Sequence, residues 1–296
     1  MKIVITGGSG FIGTYLARRL LKDGHEVIIA DIKEPRDGKL RRYWKYCDVT
    51  DLFQLDTLLK DCDVVFHLAA NPEPRIATIN PRWDLKINVI GTLNVIDLAV
   101  KYRCRMIFTS TAQIKYAPDS HYAISKRTAE KYILSAVKKR KLNASIVRFW
   151  NVYGPGQRLG FVIPDFIEKL RRNPNVLHIR GTGLDVRDFV YITDAVEALI
   201  TVMEKGEVGE IYEVGTNHQL TIYELGLLIG QLMYGFKPVI LTDAEPPVNW
   251  ERKEIKEDNK IRKLGWKPKI SLEEGLLKVI TGEDHYQVNS PEDGGN

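Results

Sequence analysis

Short apolar runs alternate with longer amphipathic stretches through the first half of the chain. The runs Lys2–Thr6, Glu26–Ala30, Trp44–Cys47, Val64–His67, Arg105–Ser110 and Ala144–Phe149 predict strands. They are hydrophobic almost without interruption, as strands covered on both faces are. Between them, Phe11–Lys22, Leu52–Lys60, Pro81–Tyr102 and His121–Lys139 predict helices. Asp51 and Asn80 stand where N-caps belong, and Pro81 suits a first helical turn. This alternation predicts an α/β fold, a Rossmann-like doubly wound parallel sheet.

After Gly154-Pro155-Gly156 the alternation loosens, and helices are expected at Asp165–Arg171, Thr193–Lys205, Thr221–Met233 and Ser271–Ile280. Residues 1–153 therefore read as the main domain, with elements returning from the C-terminal half. Residues 154–282 read mainly as a smaller C-terminal α/β cap, and 283–296 as a disordered tail.

Composition narrows the function classes. Lys and Arg number 43 against 38 Asp and Glu, a net charge of +5 that suits an anionic substrate. The densest basic run, Lys138-Lys139-Arg140-Lys141, falls at a helix end, where cations favour the dipole. Without clustered basic and aromatic residues, a nucleic-acid partner is not expected. Cys47, Cys62 and Cys104 form no CxxC pair, so neither a disulfide framework nor a metal site is expected. No apolar stretch approaches a membrane span, and the first residues read as a buried strand rather than a signal peptide. A cytoplasmic location is the expectation. Few Gln and many Lys, Glu, Arg and Ile hint at a thermophilic source.

The first predicted strand runs into Thr6-Gly7-Gly8-Ser9-Gly10-Phe11-Ile12-Gly13 and then a helix. Gly7, Gly10 and Gly13 allow a tight turn, close approach to a pyrophosphate, and close helix–strand packing. Phe11 and Ile12 open the helix whose N–H groups and dipole face the phosphates. Asp31, at the end of the second strand, supplies the acid that accepts from an adenosine ribose. A carboxylate there repels a 2′-phosphate, so NAD is expected rather than NADP. Asp48, followed by Val49, stands where it can meet the adenine amino group, or else cap the next helix.

Tyr122 and Lys126 are four apart on a predicted helix and share a face. Unperturbed tyrosine titrates at about 10, and a nearby ammonium and an oxidised nicotinamide favour its phenolate. Thr111, at the end of the preceding strand, is placed to hydrogen-bond a substrate hydroxyl. Behind a glycine fingerprint, this constellation points to a tyrosine general base.

At these residues the chain resembles the extended short-chain dehydrogenases/reductases, in the branch of NAD-dependent epimerases and dehydratases around the UDP-galactose 4-epimerases. The resemblance runs from Met1 to about Ile280. It includes Phe66-His67-Leu68-Ala69-Ala70, Asn88-Val89-Ile90-Gly91-Thr92, Arg148-Phe149-Trp150-Asn151-Val152-Tyr153-Gly154, Gly181 to Phe189, and Leu264 to Pro268. It implies that Leu68, Ala69 and Ala70 line the NAD site with Val49, and that Asn88 is the family's structural asparagine. Lys126 then binds the nicotinamide ribose, and Thr111 and Tyr122 meet the sugar. Asn151 and Arg187 meet the phosphates of a nucleotide sugar bound by the cap, and two subunits pair through Pro81–Tyr102 and His121–Lys139. A guanidinium suits the phosphate role, since it stays charged and binds bidentately.

Three departures from the family pattern stand out. Thr111 and Tyr122 are unusually close, so the loop between them is short. Lys115-Tyr116 replaces the family's Tyr-Gly. The late Arg-Pro-Gly is missing around Pro246 to Trp250, leaving Arg252 as a substitute. Ala112 and Gln113 also stand where a dehydratase of the family carries an Asp-Glu pair, which points to 4-epimerisation. Decarboxylase, dehydratase and reductase activities of the same branch, and a non-catalytic NAD-responsive protein, are the alternatives.

Overall fold

The computed structural model of the protein describes residues 1–245, 247, 251–252 and 258–283. The expected disordered tail lies outside them, apart from Glu283. The strands are β1 (Lys2–Thr6), β2 (Glu26–Asp31), β3 (Trp44–Tyr46), β4 (Val64–His67), β5 (Arg105–Thr111), β6 (Ala144–Phe149), β7 (Asn151–Tyr153), β8 (Val176–Ile179), β9 (Val186–Tyr191), β10 (Ile211–Val214), β11 (Gln219–Thr221) and β12 (Val239–Thr242). The helices are α1 (Phe11–Lys22), α2 (Leu52–Leu59), α3 (Pro74–Ile79), α4 (Pro81–Leu85), α5 (Thr92–Tyr102), α6 (Gln113–Tyr116), α7 (His121–Arg140), α8 (Val162–Arg172), α9 (Ile192–Lys205), α10 (Ile222–Tyr234), α11 (Lys260–Lys263) and α12 (Leu272–Thr281).

Seven strands form one sheet in the order β10-β6-β5-β4-β1-β2-β3, with every neighbouring pair parallel. The chain winds outward from β1 in both directions, so the order reverses between β1 and β4. Ligands of such sheets bind outside the carboxyl ends of the strands at that point. The six strands expected in the first half are all present, and β10 returns from the second half to pair with β6. Val4, Val65, Met106, Phe108 and Ile146 project into a core completed by Leu55, Val95, Ile96 and Ile133 from the helices.

The expected long helix over Pro81–Tyr102 is not continuous. It is α4, a π-helical stretch at Lys86–Gly91, and then α5. Gly91 explains part of this geometry, because a Cβ there would lie 2.7 Å from Val49 Cγ2. Asp51 and Asn80 are N-caps: Asp51 accepts from the N–H groups of Phe53 and Gln54, and Asn80 from that of Trp83.

The chain divides into two compact units. The first holds Met1–Val152, Val186–Leu220 and the described residues of 249–269. The second holds Tyr153–Asp185 and the described residues of 221–248 and 270–296. It is thus smaller than a continuous 154–282 segment: β10 belongs to the parallel sheet, and α9 packs on α1. In the second unit, β8 and β12 pair in parallel, and Gly226 of α10 lets that helix approach Leu177 and Ile240.

Candidate active site

The glycine loop leaves β1 and is shaped by contacts no side chain could share. Gly7 has φ +69°, and a Cβ on it would lie 2.6 Å from the Ala69 nitrogen. A Cβ on Gly13 would lie 2.6 Å from both the Gly7 carbonyl oxygen and the Gly8 Cα. Gly10 is the N-cap of α1, with no side-chain capping bond and no acid in the first turn. The N–H groups opening α1 at Phe11, Ile12 and Gly13 are therefore of the kind an anion satisfies. Ser9 Oγ is buried without a partner, a further polar atom in the loop.

Asp31 closes β2 beside this loop. Its carboxylate accepts the Ser9 N–H at 3.1 Å and the Lys33 N–H at 3.0 Å, while burial pushes its pKa upward. Asp48 does not cap α2, since Asp51 does. Asp48 Oδ1 instead accepts from both the backbone and the hydroxyl of Thr50, at 2.8 Å each. Leu68, Ala69 and Ala70 follow β4 and are half-buried, with Ala69 against Gly7.

His67 lies under this segment and is structural. Thr92 Oγ1 donates to the Asn88 carbonyl at 2.7 Å, so it accepts from His67 Nε2 at 3.0 Å. Nδ1 then accepts from the Thr6 hydroxyl at 2.7 Å, and the ring is neutral. Burial and the nearby Lys126 depress its pKa to about 3.

Asn88 ties the π-helical stretch to α7. Its amide donates to Asp84 Oδ1 at 2.9 Å and to Ser125 Oγ at 3.0 Å, and its Oδ1 accepts the Asn71 N–H at 2.9 Å. Ser125 donates in turn to the Tyr122 carbonyl. Asp84 and Asn71 were not anticipated from the sequence. The four-residue spacing of Asp84 and Asn88 was the available signal.

Tyr122 and Lys126 share a face of α7, which Ser120 caps by accepting the Ala123 N–H. Lys126 is buried, with its ammonium 4.1 Å from the Phe108 ring centroid. Burial lowers its pKa to about 7, against the opposing fields of Glu130 and Asp84. Tyr122 departs from expectation. In the protein alone, burial pushes the phenol upward, reinforced by Tyr116 and Asp84. The positive charge of an oxidised nicotinamide, were NAD bound beside it, would act in the opposite direction.

Thr111 ends β5 and is buried, its hydroxyl oxygen accepting the Gln113 N–H at 3.2 Å. Its own O–H can still donate. The short segment after it folds as α6 and is tied to β10: Lys115 Nζ sits 2.6 Å from Glu213 Oε2. Glu213 is buried and also lies 3.5 Å from Arg148, which grips Glu130 of α7 bidentately at 2.8 and 2.6 Å. Tyr116 stacks on Trp150, and the guanidinium of Arg187 lies 4.5 Å from the Tyr116 ring centroid. Sequence reasoning did not find this assembly, because its members are far apart along the chain.

Asn151 of β7 donates to the Asp188 carbonyl at 3.0 Å. The buried Asp188 carboxylate binds Thr216 and the Asn217 N–H, which fixes the strand carrying Arg187. Arg252 is exposed and donates to the Gln219 carbonyl. Most of the stretch where the late Arg-Pro-Gly was sought lies outside the described residues.

The NAD dependent epimerase/dehydratase family matches residues 3–215. The chain belongs to this family. Its relatives span several reactions. A dTDP-D-glucose 4,6-dehydratase of Bos taurus is 31% identical, covering 94% of this chain and 87% of its own length. UDP-glucuronic acid decarboxylase 1 of Arabidopsis thaliana is 29% identical, covering 99% and 72%. The solved UDP-glucose 4-epimerase of Thermotoga maritima, bound to UDP-glucose, is 32% identical with a TM-score of 0.84, covering 95% of this chain and 98% of that one.

NAD is the cofactor of this epimerase/dehydratase family, and the residues fit it. The glycine cradle has no room for a Cβ at Gly7 or Gly13, Ser9 Oγ is buried without a partner, and Asp31 stands beside the loop, where it would meet the adenosine ribose. Among the described residues no helix is long and apolar enough to cross a membrane.

Proposed function

We propose that this chain is a nucleotide-sugar 4-epimerase of the UDP-glucose/UDP-galactose type. The observation that carries this reading is the identity of the two residues after Thr111: Ala112 is buried and apolar, and Gln113 is neutral. Loss of water between C5 and C6 needs an added acid and base near C6, and neither residue transfers a proton. Epimerisation needs none.

Tyr122 takes the proton of the sugar 4-hydroxyl, and Thr111 hydrogen-bonds the oxygen as it becomes a carbonyl. NAD, when bound, would supply the hydride acceptor and donor of the cycle, with Lys126 placed to hold its nicotinamide ribose. Asn151 and Arg187 hold the pyrophosphate, with Arg252 contributing, while the 4-keto sugar turns about that anchor. Two subunits pair through the Pro81–Tyr102 segment and α7, a reading supported by the exposed apolar side chains of Ile90 on the first and Ile124 and Tyr132 on the second.

The identity to UDP-glucuronic acid decarboxylases supports a second reading. A 4-keto sugar acid is a β-keto acid: the C5–C6 bond breaks to release carbon dioxide, and the enolate left behind takes a proton at C5. Gln113 supplies no such proton, which keeps this reading second. Proton NMR separates the two. The protein is incubated with catalytic NAD and UDP-glucose, UDP-galactose, their N-acetyl forms or UDP-glucuronate. Interconversion of a C4 pair without net NADH is the expected result. A pentose from UDP-glucuronate, or a 4-keto-6-deoxy product from a glucose nucleotide, would replace this reading with another of the family's reactions.

A further inference from the structure

Two of the three cysteines, far apart in sequence, meet at the amino ends of adjacent strands. Cys62 stands two residues before β4 and Cys104 one residue before β5, and these parallel strands pair with Val64 opposite Arg105. The Arg105 N–H donates to the Asp63 carbonyl at 2.9 Å, carrying the ladder one residue further. A one-residue stagger across strands spaced about 4.8 Å apart puts the two Cα atoms about 6 Å apart, a separation a disulfide spans.

The side chains point at each other. The Sγ atoms are 3.1 Å apart, with Cys104 donating to Cys62 and Cys62 donating to the Val64 carbonyl. Both residues are buried. The hydrogen bond from Cys104 lowers the pKa of Cys62, and that same bond and burial raise that of Cys104. Cys62 is also next to the exposed turn residue Asp61. The third cysteine, Cys47, is pushed up to about 12 by burial and by Asp48, Asp51 and Asp31, which makes it an inert internal control.

We propose that Cys62 and Cys104 form an oxidation site that a low-molecular-weight disulfide converts to a cystine clamping β4 to β5. The Cys62 thiolate attacks one sulfur of the reagent and expels the first thiolate. The Cys104 thiolate then attacks Cys62 Sγ and expels the second. One S–S bond breaks and one forms; both cysteine protons leave with the released thiols, so the pair is oxidised and the reagent reduced. The cross-link closes a long loop of the unfolded chain, which favours the folded state. It lies at the opposite ends of the strands from Thr111 and the glycine loop, so turnover is unaffected.

The test treats the full chain with oxidised glutathione at temperatures up to just below unfolding, then unfolds it in acid and alkylates it. Mass spectrometry should show a protein two hydrogens lighter, one alkylated cysteine at Cys47, and a linked peptide joining Cys62 to Cys104. The oxidised protein should melt about 5–10 °C above the reduced one. That gain should vanish in Cys62→Ala and Cys104→Ala and persist in Cys47→Ala. Three alkylated cysteines, a persistent glutathione adduct, a link through Cys47, or an equal gain in Cys62→Ala would each overturn the proposal. If an alanine variant does not fold, the alkylation map of the unsubstituted protein decides.

Discussion

The loop after β1 and the loop after β5 leave the same end of one sheet, and they are held in different ways. The first is held by backbone: Gly7 and Gly13 press against the main chain of Ala69, Gly7 and Gly8. The second is held by side chains, with Lys115 on Glu213, Tyr116 on Trp150, and Arg187 over Tyr116. A backbone cradle recognises what every member of the family shares, a dinucleotide pyrophosphate. A side-chain assembly can be altered residue by residue. The first loop is thus sterically committed, and the second can be altered one side chain at a time.

The largest expected effect tests which loop carries the chemistry. Tyr122→Phe keeps the ring and removes only the proton acceptor, so kcat should fall by about 10²–10⁴-fold. NAD affinity should change little, because the glycine cradle is untouched. Single-turnover kinetics and a fluorescence titration with NAD read the two quantities separately. Turnover preserved in this variant would remove Tyr122 as the base. Loss of NAD binding with turnover would mean that the two loops are not independent.

The next effect probes the backbone cradle. In Gly13→Ala the new methyl meets main-chain atoms of Gly7 and Gly8, which cannot rotate away as a side chain can. Overpacking of this kind costs about 1–3 kcal/mol, a fall in Tm of about 3–10 °C for a domain this size. NAD affinity should drop at least about tenfold, if the shift displaces the N–H groups by a fraction of a hydrogen bond. Gln113→Ala on the other loop is the matched control. Its backbone N–H still reaches Thr111, so melting and NAD binding should stay near those of the parent. Equal losses in both variants would erase the contrast between the loops.

The same contrast explains what the sequence made legible. The six early strands, the glycine loop, Asp31 and the Tyr122–Lys126 pair depend on local spacing, which a single chain displays. The π-helical stretch was hidden because Lys86–Gly91 carries an ordinary helical pattern, and the close approach of Val49 to Gly91 joins residues far apart along the chain. Asp48 was left between two roles because a capping aspartate three residues on, Asp51, offers the same chemistry. Tyr116, Trp150 and Arg187 are unremarkable in isolation and acquire meaning only when β5, β6 and β9 bring them together. The Cys62–Cys104 pair escaped notice because spacing rules register neighbours in sequence, while these two are neighbours only through strand register. Tyr122 shows a different limit. Its spacing identified the residue, but the direction of its pKa in the protein alone depends on burial, which spacing does not report.

The smallest expected effect separates two things the second loop can position. Lys115 is half-exposed at its ammonium end, while its partner Glu213 is buried. Lys115→Met keeps the aliphatic stem and leaves Glu213 with Arg148 and the Asp258 N–H. The stability cost should be about 1 kcal/mol, more than for an exposed pair and less than for a stripped buried charge. If the anchor mainly sets Tyr116 beneath Arg187, KM for the nucleotide sugar should rise about 3–10-fold with kcat nearly unchanged. Lys115→Arg should then recover most of the affinity. If kcat falls instead and KM holds, the anchor acts through α7, where Arg148 joins Glu213 to Glu130 one turn beyond Lys126. In that case the side-chain assembly supports the catalytic helix as well as the substrate, and the adjustable loop is adjustable only within the limits that Tyr122 sets.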